Sequence, residues 1–302
     1  MNRITDQEQA TEVSVSDPPE FAAVYEPLPE LDELVKRFDE DGYVVIENAI
    51  SPEVVEKVRD AGDRLVEGDS PVGRWWGKPQ TAPRRVEYRG FFNLDDDFME
   101  LLAPPKVFPF VVRVLGANLH MMSSNLVYQR PNQEPVPDGR GGWHRDLVGS
   151  TTDLGNDSIP RMAIRAGYYL TDVSEPGSGI TLFAPGSHKL RENLPIPPGD
   201  EHPENYVRPA LKPGDAVLWE ARTFHAPEQN ESPNLRKALM VQYGFRWLRP
   251  VDFLSHPPEL LDRCDPVIRQ LLDSTDINPD GSMTRMKGSK ALTEWAEEHG
   301  LA

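Results

Sequence analysis

Two histidines and one aspartate constrain this chain more than any other feature of its sequence. His144 and Asp146 form an H-x-D pair in GGWHRDLVG, and His225 follows much later in WEARTFHAPE. This is the ligand order of the facial triad, which binds non-haem Fe(II) and leaves three coordination positions open. Oxygen activation needs open positions, because a co-substrate and O2 must both reach the metal. We therefore predict that these three residues are the metal ligands and the catalytic centre.

An H-x-D pair is weak evidence when it is taken alone. The chain has seven histidines, and a single histidine is more often a packing or surface residue than a ligand. The context strengthens the case, because the pair follows a strand-like stretch, NLVYQR, and His225 follows a second one, DAVLWEA. A third such stretch, RKALMVQYGFRW, begins at Arg236. These placements agree with one another and favour a ligand set over isolated packing residues.

Arg236 is the predicted anchor for the far carboxylate of 2-oxoglutarate. Alternation along a strand places it on one face with Ala238 and Met240. If that face lines the interior of a barrel, the guanidinium needs an anion, which a carboxylate supplies. A surface arginine at the start of a strand is the alternative. Tyr128 and Gln129, just before an inserted segment, are weaker candidates for contacts to 2-oxoglutarate.

Four parts of the sequence carry a resemblance to a known family. They are FDEDGYVVIENAISPEVVEKVRDAG (38–62), His144-Arg145-Asp146, GSGITLFAPGSHK (177–189), and His225 with Arg236. On these parts the chain resembles the phytanoyl-CoA dioxygenase family, over residues 31–249. It departs from the family pattern at Ser178-Gly179, where Asn-Gly is commoner, and by an insertion at 132–142. Neither departure touches a predicted ligand.

The resemblance implies a fold, a set of cofactors and a reaction. The implied fold is mainly β with flanking helices, around a double-stranded β-helix core of the jelly-roll, cupin-like type. The implied cofactors are Fe(II), 2-oxoglutarate as co-substrate and O2, and 2-oxoglutarate is converted to succinate and CO2 as the substrate loses a hydrogen. Related halogenases have Gly or Ala at the position of Asp146, so hydroxylation of an aliphatic carbon is expected and halogenation is not.

The expected substrate is a small molecule, because this family often modifies secondary metabolites, as in antibiotic biosynthesis. A fatty acyl-CoA fits less well, since a chain with a formal charge of −17 repels a polyanion unless local arginines collect it. The same chemistry can also give desaturation, epoxidation, cyclisation or epimerisation. A cupin-like isomerase or binding protein and a non-catalytic family member are further alternatives. The chain has no H-x-H pair followed by a carboxylate ligand, which argues against the cupin-like alternative, and the intact triad with Arg236 argues against the non-catalytic one.

Composition excludes several classes of partner. The chain has 32 basic and 49 acidic residues, which argues against binding to nucleic acid or an anionic membrane. A single cysteine, Cys264, excludes an internal disulfide and a thiolate metal cluster and favours a reducing compartment. No stretch has the apolar pattern of a signal peptide or of a membrane helix. We expect a cytoplasmic monomer or homodimer that acts on a small molecule.

The sequence divides into three parts. Residues 1–29 are polar and acidic, and we expect them to be disordered or to lie along the surface. Residues 30–255 form the predicted oxygenase domain, in which one helix ends at Gly42, a second begins at Ser51-Pro52, and short strands with Gly and Pro turns follow. Residues 256–302 form a predicted helical tail.

Arginines and tryptophans outside the triad are candidates for substrate binding. Arg161 and Arg165 lie four residues apart in IPRMAIRAGYYL, so a strand would place both on one face beside small residues. A long loop carries Trp75, Trp76 and Arg85, which could cover the metal as a lid. The alternatives are packing for the loop and pairing with nearby carboxylates for the two arginines.

Overall fold

A computed structural model describes residues 18–72, 74–76, 85–131, 142–147, 153–154, 159–253, 255–272 and 290–302. The strands are β1 (Tyr43–Ile46), β2 (Arg74–Trp76), β3 (Arg85–Arg89), β4 (Leu119–Gln129), β5 (Ala163–Tyr169), β6 (Thr181–Phe183), β7 (Ala216–Glu220), β8 (His225–Pro227) and β9 (Arg236–Phe245). The helices are α1 (Leu31–Asp41), α2 (Pro52–Glu67), α3 (Phe108–Leu115), α4 (Pro258–Leu261), α5 (Pro266–Leu271) and α6 (Lys290–Glu298). Among the described residues, none of the helices has the length and hydropathy needed to span a bilayer.

Most of the strands form one large antiparallel sheet. Its order is β1-β7-β5-β9-β4-β3-β2, and β6 and β8 form a second, two-stranded sheet. Isolated bridges extend the small sheet from Phe183 to Val207 and from Ser178 to Asn230. The predicted fold class, mainly β with flanking helices, is confirmed. The two sheets form the two layers of a double-stranded β-helix.

The large sheet separates two hydrophobic clusters, because alternate residues of a strand point to opposite faces. Its outer face packs against α1, α2 and α3, where Phe38 and Phe110 are fully buried. Its inner face packs against β6, with Tyr169 and Trp219 on the large sheet and Phe183 on the small one. The predicted functional residues can meet only if their side chains lie on the inner face. The face on which a residue lies therefore determines whether it can belong to the site.

Local sequence signals place the ends of the first two helices. Ser51 caps α2, since its Oγ accepts a hydrogen bond from the backbone N–H of Val54 at 3.3 Å. Helix α1 ends at Gly42, which has a φ of 81° and whose N–H donates to the carbonyl of Phe38 at 2.8 Å. A Cβ on Gly42 would also lie 2.4 Å from Oγ1 of Thr223. Both ends were predicted from the sequence, and both are confirmed.

The two ends of the described chain pack against the outer layer. Phe21 forms a parallel bridge with Cys264, and Trp295 of α6 is buried in the same hydrophobic cluster as the helices under the large sheet. The described parts of the C-terminal segment contain helices α4, α5 and α6. Within residues 18–29, Phe21 and Ala23 form hydrogen bonds with Arg263 and Asp265. Residues 1–17 lie outside the described residues.

Arg208 and Glu228 fix the loop that leads into β6. Nε of Arg208 donates to Glu228 at 2.9 Å. Its other N–H groups donate to the backbone carbonyls of Val173, Ser174 and Glu175 and to the hydroxyl of Ser178. Glu228 in turn accepts from the backbone N–H of Gly179 at 3.1 Å. The Arg208–Glu228 ion pair therefore bonds three backbone carbonyls, one hydroxyl and one backbone N–H of this loop.

Replacing Arg208 with Met should lower the free energy of unfolding by about 2–3 kcal/mol, because it leaves Glu228 and several carbonyls without their charged donor. Urea unfolding followed by circular dichroism measures the change. Arg191→Met is the matched control, since Arg191 is exposed and the same substitution there should change stability by less than about 0.5 kcal/mol. Equal effects of the two substitutions would contradict this role for Arg208.

Candidate metal centre

The two histidines of the predicted triad are paired directly by their backbones. The N–H of His144 donates to the carbonyl of His225, and the N–H of His225 donates to that of His144, both at 2.9 Å. Their imidazole rings therefore lie side by side, with centroids 4.3 Å apart. Asp146 follows His144 by two residues and so reaches the same point.

Backbone carbonyls fix the orientation of both imidazole rings. Nδ1 of His144 lies 2.8 Å from the carbonyl of Gly142, and Nδ1 of His225 lies 2.9 Å from the carbonyl of Thr223. A carbonyl oxygen only accepts hydrogen bonds, so each Nδ1 carries the proton. The Nε2 atom of each ring is therefore left with a lone pair, which is the form in which neutral histidine binds metals.

Both oxygens of Asp146 have partners in the protein. The indole N–H of Trp219 donates to Oδ2 at 3.0 Å, and Nη2 of Arg165 lies 3.3 Å from Oδ1. Nε2 of His225 lies 3.9 Å from the same Oδ1. The next residue, Leu147, has a positive φ of 55°, a sparsely populated conformation for leucine. The carboxylate is therefore held rigidly, with Oδ1 toward the histidines.

The charges at the site suit metal binding. Burial opposes the ionisation of Asp146, but Arg165, the two imidazoles and the indole of Trp219 hold the pKa of Asp146 below its ordinary value. Burial lowers the pKa of His225 to about 4, against the opposing effect of Asp146. At neutral pH the site therefore presents one carboxylate and a neutral imidazole.

The three donor atoms lie within 4.8 Å of one another, close enough to share one metal ion. Two imidazole nitrogens and one carboxylate oxygen are the donor set of non-haem Fe(II) sites. His225 is buried and His144 is exposed, so the site is open to solvent on the side of His144. The structure therefore brings together the three residues predicted to bind the metal.

Arg236 lies on the inner face of the large sheet, as predicted, and is 6 % exposed. Its Nη2 donates to the hydroxyl of Tyr169 at 3.3 Å, and its Nε is buried without a partner. Among the described residues no carboxylate lies within ion-pair distance of its guanidinium. A buried cation without an anion is costly, so the pocket around Arg236 fits a negatively charged ligand.

Gln129 and Tyr128 lie on opposite faces of β4. Gln129 pairs with Arg236 across the sheet, so its side chain shares the inner face, where Nε2 donates to the carbonyl of Glu228 at 3.1 Å. Tyr128 points to the outer face, and its hydroxyl donates to Asp63 at 2.9 Å. The structure thus brings Gln129 to Arg236, and it contradicts the predicted contact of Tyr128 with 2-oxoglutarate.

The predicted pairing of Arg161 and Arg165 on one strand face is wrong, because β5 begins only at Ala163. Arg161 donates to Asp39 at 2.5 Å and to Glu220 at 3.0 Å, which is the carboxylate pairing weighed as its alternative. Arg165 lies on the inner face beside Asp146. Of the two, only Arg165 is part of the site, and its partner there is a predicted metal ligand.

The loop residues predicted as a lid are only partly described. Arg85 is exposed and forms an ion pair with Glu87 at 3.0 Å. The backbone of Trp75 and Trp76 forms β2, and their side chains lie outside the described residues. A role for these three residues in substrate binding stays a prediction.

Trp219 is a residue of the site that was not predicted from the sequence. It lies six residues before His225, in the strand-like stretch DAVLWEA, and alternation along that stretch places it on the same face as Val217. The strand pattern alone could have placed it on the inner face. Its contact with Asp146 could not be predicted, because that contact depends on the pairing of Trp219 with Arg165 across β7 and β5.

The phytanoyl-CoA dioxygenase (PhyH) family profile matches residues 38–238, which is most of the chain. The chain belongs to the phytanoyl-CoA dioxygenase family. Both the family and the enzyme class predicted from the sequence, a 2-oxoglutarate-dependent non-haem iron dioxygenase, are confirmed. The family match ends close to Arg236 and includes all three predicted ligands.

Several dioxygenases are similar to this chain in sequence. Ectoine dioxygenase of Stutzerimonas stutzeri (strain A1501) is 27% identical over 76% of this chain and 81% of its own length. Dioxygenase andF of Emericella variicolor is 21% identical over 87% of this chain and 92% of its own length. The similarity therefore extends over most of each protein.

Solved structures share the fold. The epimerase SnoN in complex with Fe3+, alpha ketoglutarate and nogalamycin RO has a TM-score of 0.56 at 20% identity, over 76% of this chain and 90% of SnoN. The carbocyclase SnoK from nogalamycin biosynthesis has a TM-score of 0.51 at 22% identity, over 74% of this chain and 93% of SnoK. These likenesses confirm the predicted double-stranded β-helix core.

Tyr128 and Gln129 provide a direct test of the two faces of β4. Tyr128→Phe should lower the free energy of unfolding by about 1 kcal/mol through loss of its bond to Asp63, and it should leave the affinity for 2-oxoglutarate unchanged. Gln129→Leu should weaken 2-oxoglutarate binding, because Gln129 shares the inner face with Arg236. Urea unfolding and anaerobic calorimetry measure the two effects. Weaker 2-oxoglutarate binding by Tyr128→Phe would restore the original prediction.

Proposed function

We propose that this protein binds Fe(II) through His144, Asp146 and His225 and uses 2-oxoglutarate and O2 to hydroxylate an aliphatic carbon of a small molecule. One observation carries the proposal. The inner face carries a ready-made set of three metal donors and a buried arginine, Arg236, that forms no ion pair with any described residue. A protein that only bound a ligand on this fold would need one of these features and not both.

The path from the metal donors to Arg236 supports 2-oxoglutarate as the anion. Phe183 pairs with His225 across β6 and β8, and Thr181, two residues earlier, bonds the hydroxyl of Tyr169 at 2.9 Å. Tyr169 also accepts from Arg236. Thr181 and Phe183 share one face of β6, so the contacts of Arg236 lead to the strand pair that holds His225. A dicarboxylate bound along this face would meet the metal at one end and Arg236 at the other.

The protein's own residues each contribute one element of the reaction. When bound, iron and 2-oxoglutarate together supply, with O2, an oxidant that removes hydrogen from an unactivated carbon, and the co-substrate becomes succinate and CO2. Arg236 and Gln129 would orient the co-substrate from the inner face of the large sheet. Asp146 would occupy the position that Gly or Ala leaves to a halide in related halogenases, so the substrate is expected to gain a hydroxyl group.

A secondary metabolite is the proposed substrate. SnoN and SnoK come from nogalamycin biosynthesis and are an epimerase and a carbocyclase, so epimerisation or ring closure is the second candidate outcome. Both begin with removal of a substrate hydrogen, as hydroxylation does. Mass spectrometry of the product separates them, because only hydroxylation adds an oxygen atom. The cytoplasmic location, the monomeric or dimeric state and the lack of nucleic-acid and membrane partners stay predictions.

The metal assignment predicts the effect of removing one ligand at a time. Asp146→Ala and His225→Ala should each abolish Fe(II) binding, because two donors do not hold the ion at this site. Anaerobic titration with Fe(II) and 2-oxoglutarate, followed by the weak visible band of the iron chelate, measures this. His299→Ala is the control for loss of an imidazole elsewhere and should bind as the wild type does. A chelate band of full strength in Asp146→Ala would rule out the assignment.

The role of Arg236 is tested by a pair of substitutions of similar size. Arg236→Met should keep Fe(II) binding and weaken 2-oxoglutarate binding at least about 30-fold, equivalent to about 2 kcal/mol for a lost buried charge pair. Arg236→Lys keeps the charge and loses the bidentate fork, so its affinity should lie between those of the wild type and Arg236→Met. Calorimetry in anaerobic buffer gives all three affinities. Unchanged binding by Arg236→Met would place the co-substrate elsewhere.

A further inference from the structure

The two oxygens of Asp146 are held by different kinds of partner. Oδ2 accepts a hydrogen bond of 3.0 Å from the indole of Trp219. Oδ1 faces Nη2 of Arg165 at 3.3 Å and Nε2 of His225 at 3.9 Å. The shorter bond therefore engages Oδ2, and Oδ1, whose contacts are longer, is the oxygen that lies beside the metal-binding nitrogen of His225.

Trp219 is rigidly fixed in this position. It is 2 % exposed, and its ring packs against those of Phe183 and His225, with centroids at 5.5 Å and 5.3 Å. On β7 it pairs with Arg165 of β5 across the large sheet. The same side chain thus contacts two of the predicted ligands, Asp146 by a hydrogen bond and His225 by ring packing. Neither contact requires a metal to be present.

Arg165 has a different role at the same carboxylate. Its Nη2 also lies 3.3 Å from Oε1 of Gln242, which accepts a second hydrogen bond from Ser123 at 3.2 Å. Arg165 is therefore held on the sheet and balances the charge of Asp146 through the oxygen that faces the histidines. A neutral donor on the opposite oxygen, which only Trp219 supplies among the described residues, decides which oxygen is left for the metal.

We propose that Trp219 is a positioning residue that makes Asp146 a metal ligand through one oxygen only. The proposal rests on the proposed function, since it takes Asp146 as a ligand of Fe(II). A facial triad leaves three positions open only when each of its side chains fills one position. A carboxylate that chelated through both oxygens would take a position that 2-oxoglutarate or O2 requires. Trp219 therefore keeps this coordination position open for 2-oxoglutarate or O2.

The test is Trp219→Phe, which removes the N–H donor and retains an aromatic ring. The variant should bind Fe(II) with nearly the wild-type affinity, bind 2-oxoglutarate at least about 10-fold more weakly, and show a weaker chelate band. Anaerobic titration with Fe(II) alone and then with 2-oxoglutarate separates the two steps. Trp143→Phe is the matched control, because the indole of Trp143 donates to His202 at 3.2 Å and not to a predicted ligand.

The outcomes separate this proposal from the proposed function. If the wild type binds neither Fe(II) nor 2-oxoglutarate, the proposed function fails. If the wild type binds both and Trp219→Phe binds 2-oxoglutarate equally well, only the role of Trp219 is overturned. Parallel loss of Fe(II) affinity and thermal stability in Trp219→Phe would also overturn it, since the indole would then act through packing alone.

A second measurement uses the wild-type protein and needs no variant to fold. Zn(II) is added to protein carrying 13C-labelled aspartate, and the infrared difference spectrum isolates the aspartate that binds the ion. The antisymmetric and symmetric carboxylate stretches are widely separated for coordination through one oxygen and close together for a chelate. A wide separation is expected. A narrow one in the wild type would overturn the proposal.

Discussion

The reciprocal backbone hydrogen bonds between His144 and His225 hold the rest of the site in place. They join a segment that precedes β5 to the first residue of β8, so two residues far apart in the chain become direct neighbours. Each ring is then turned by a carbonyl two residues earlier, which leaves both Nε2 atoms without a main-chain bond and puts that of His225 3.9 Å from Asp146. The geometry of the donors is therefore set by the main chain before any metal arrives, and little reorganisation is needed to bind one.

The inner face carries three metal donors at one end of the site and a buried cation at the other. At the metal end, Asp146 is balanced by Arg165, which is itself held by Gln242. At the other end, Arg236 is buried with a tyrosine hydroxyl and no carboxylate among the described residues. A metal ion and a dianion together would complete both ends. This complementarity explains why iron and 2-oxoglutarate fit this inner face better than either would alone.

The sequence predicted the parts of the site that depend on spacing, and it failed where long-range pairing decides. The meeting of the three triad residues and the inner-face position of Arg236 were predicted because ligand order and strand alternation are local properties. Tyr128 was misplaced because adjacent strand residues face opposite ways, and only the sheet shows that Gln129 is the inner one. Arg161 was misplaced because the start of β5 was not visible in the sequence. Trp219 was missed because its contact with Asp146 requires β7 to lie beside β5.

We propose that three side chains share one iron while Arg236 holds the co-substrate. Crystals grown anaerobically with Fe(II) and 2-oxoglutarate, measured on both sides of the iron absorption edge, test this directly. We expect one anomalous peak bonded to His144, Asp146 and His225, with density for a dicarboxylate that runs from the peak to the guanidinium of Arg236. An iron peak away from these ligands, or a co-substrate that leaves Arg236 without an anion, would contradict it.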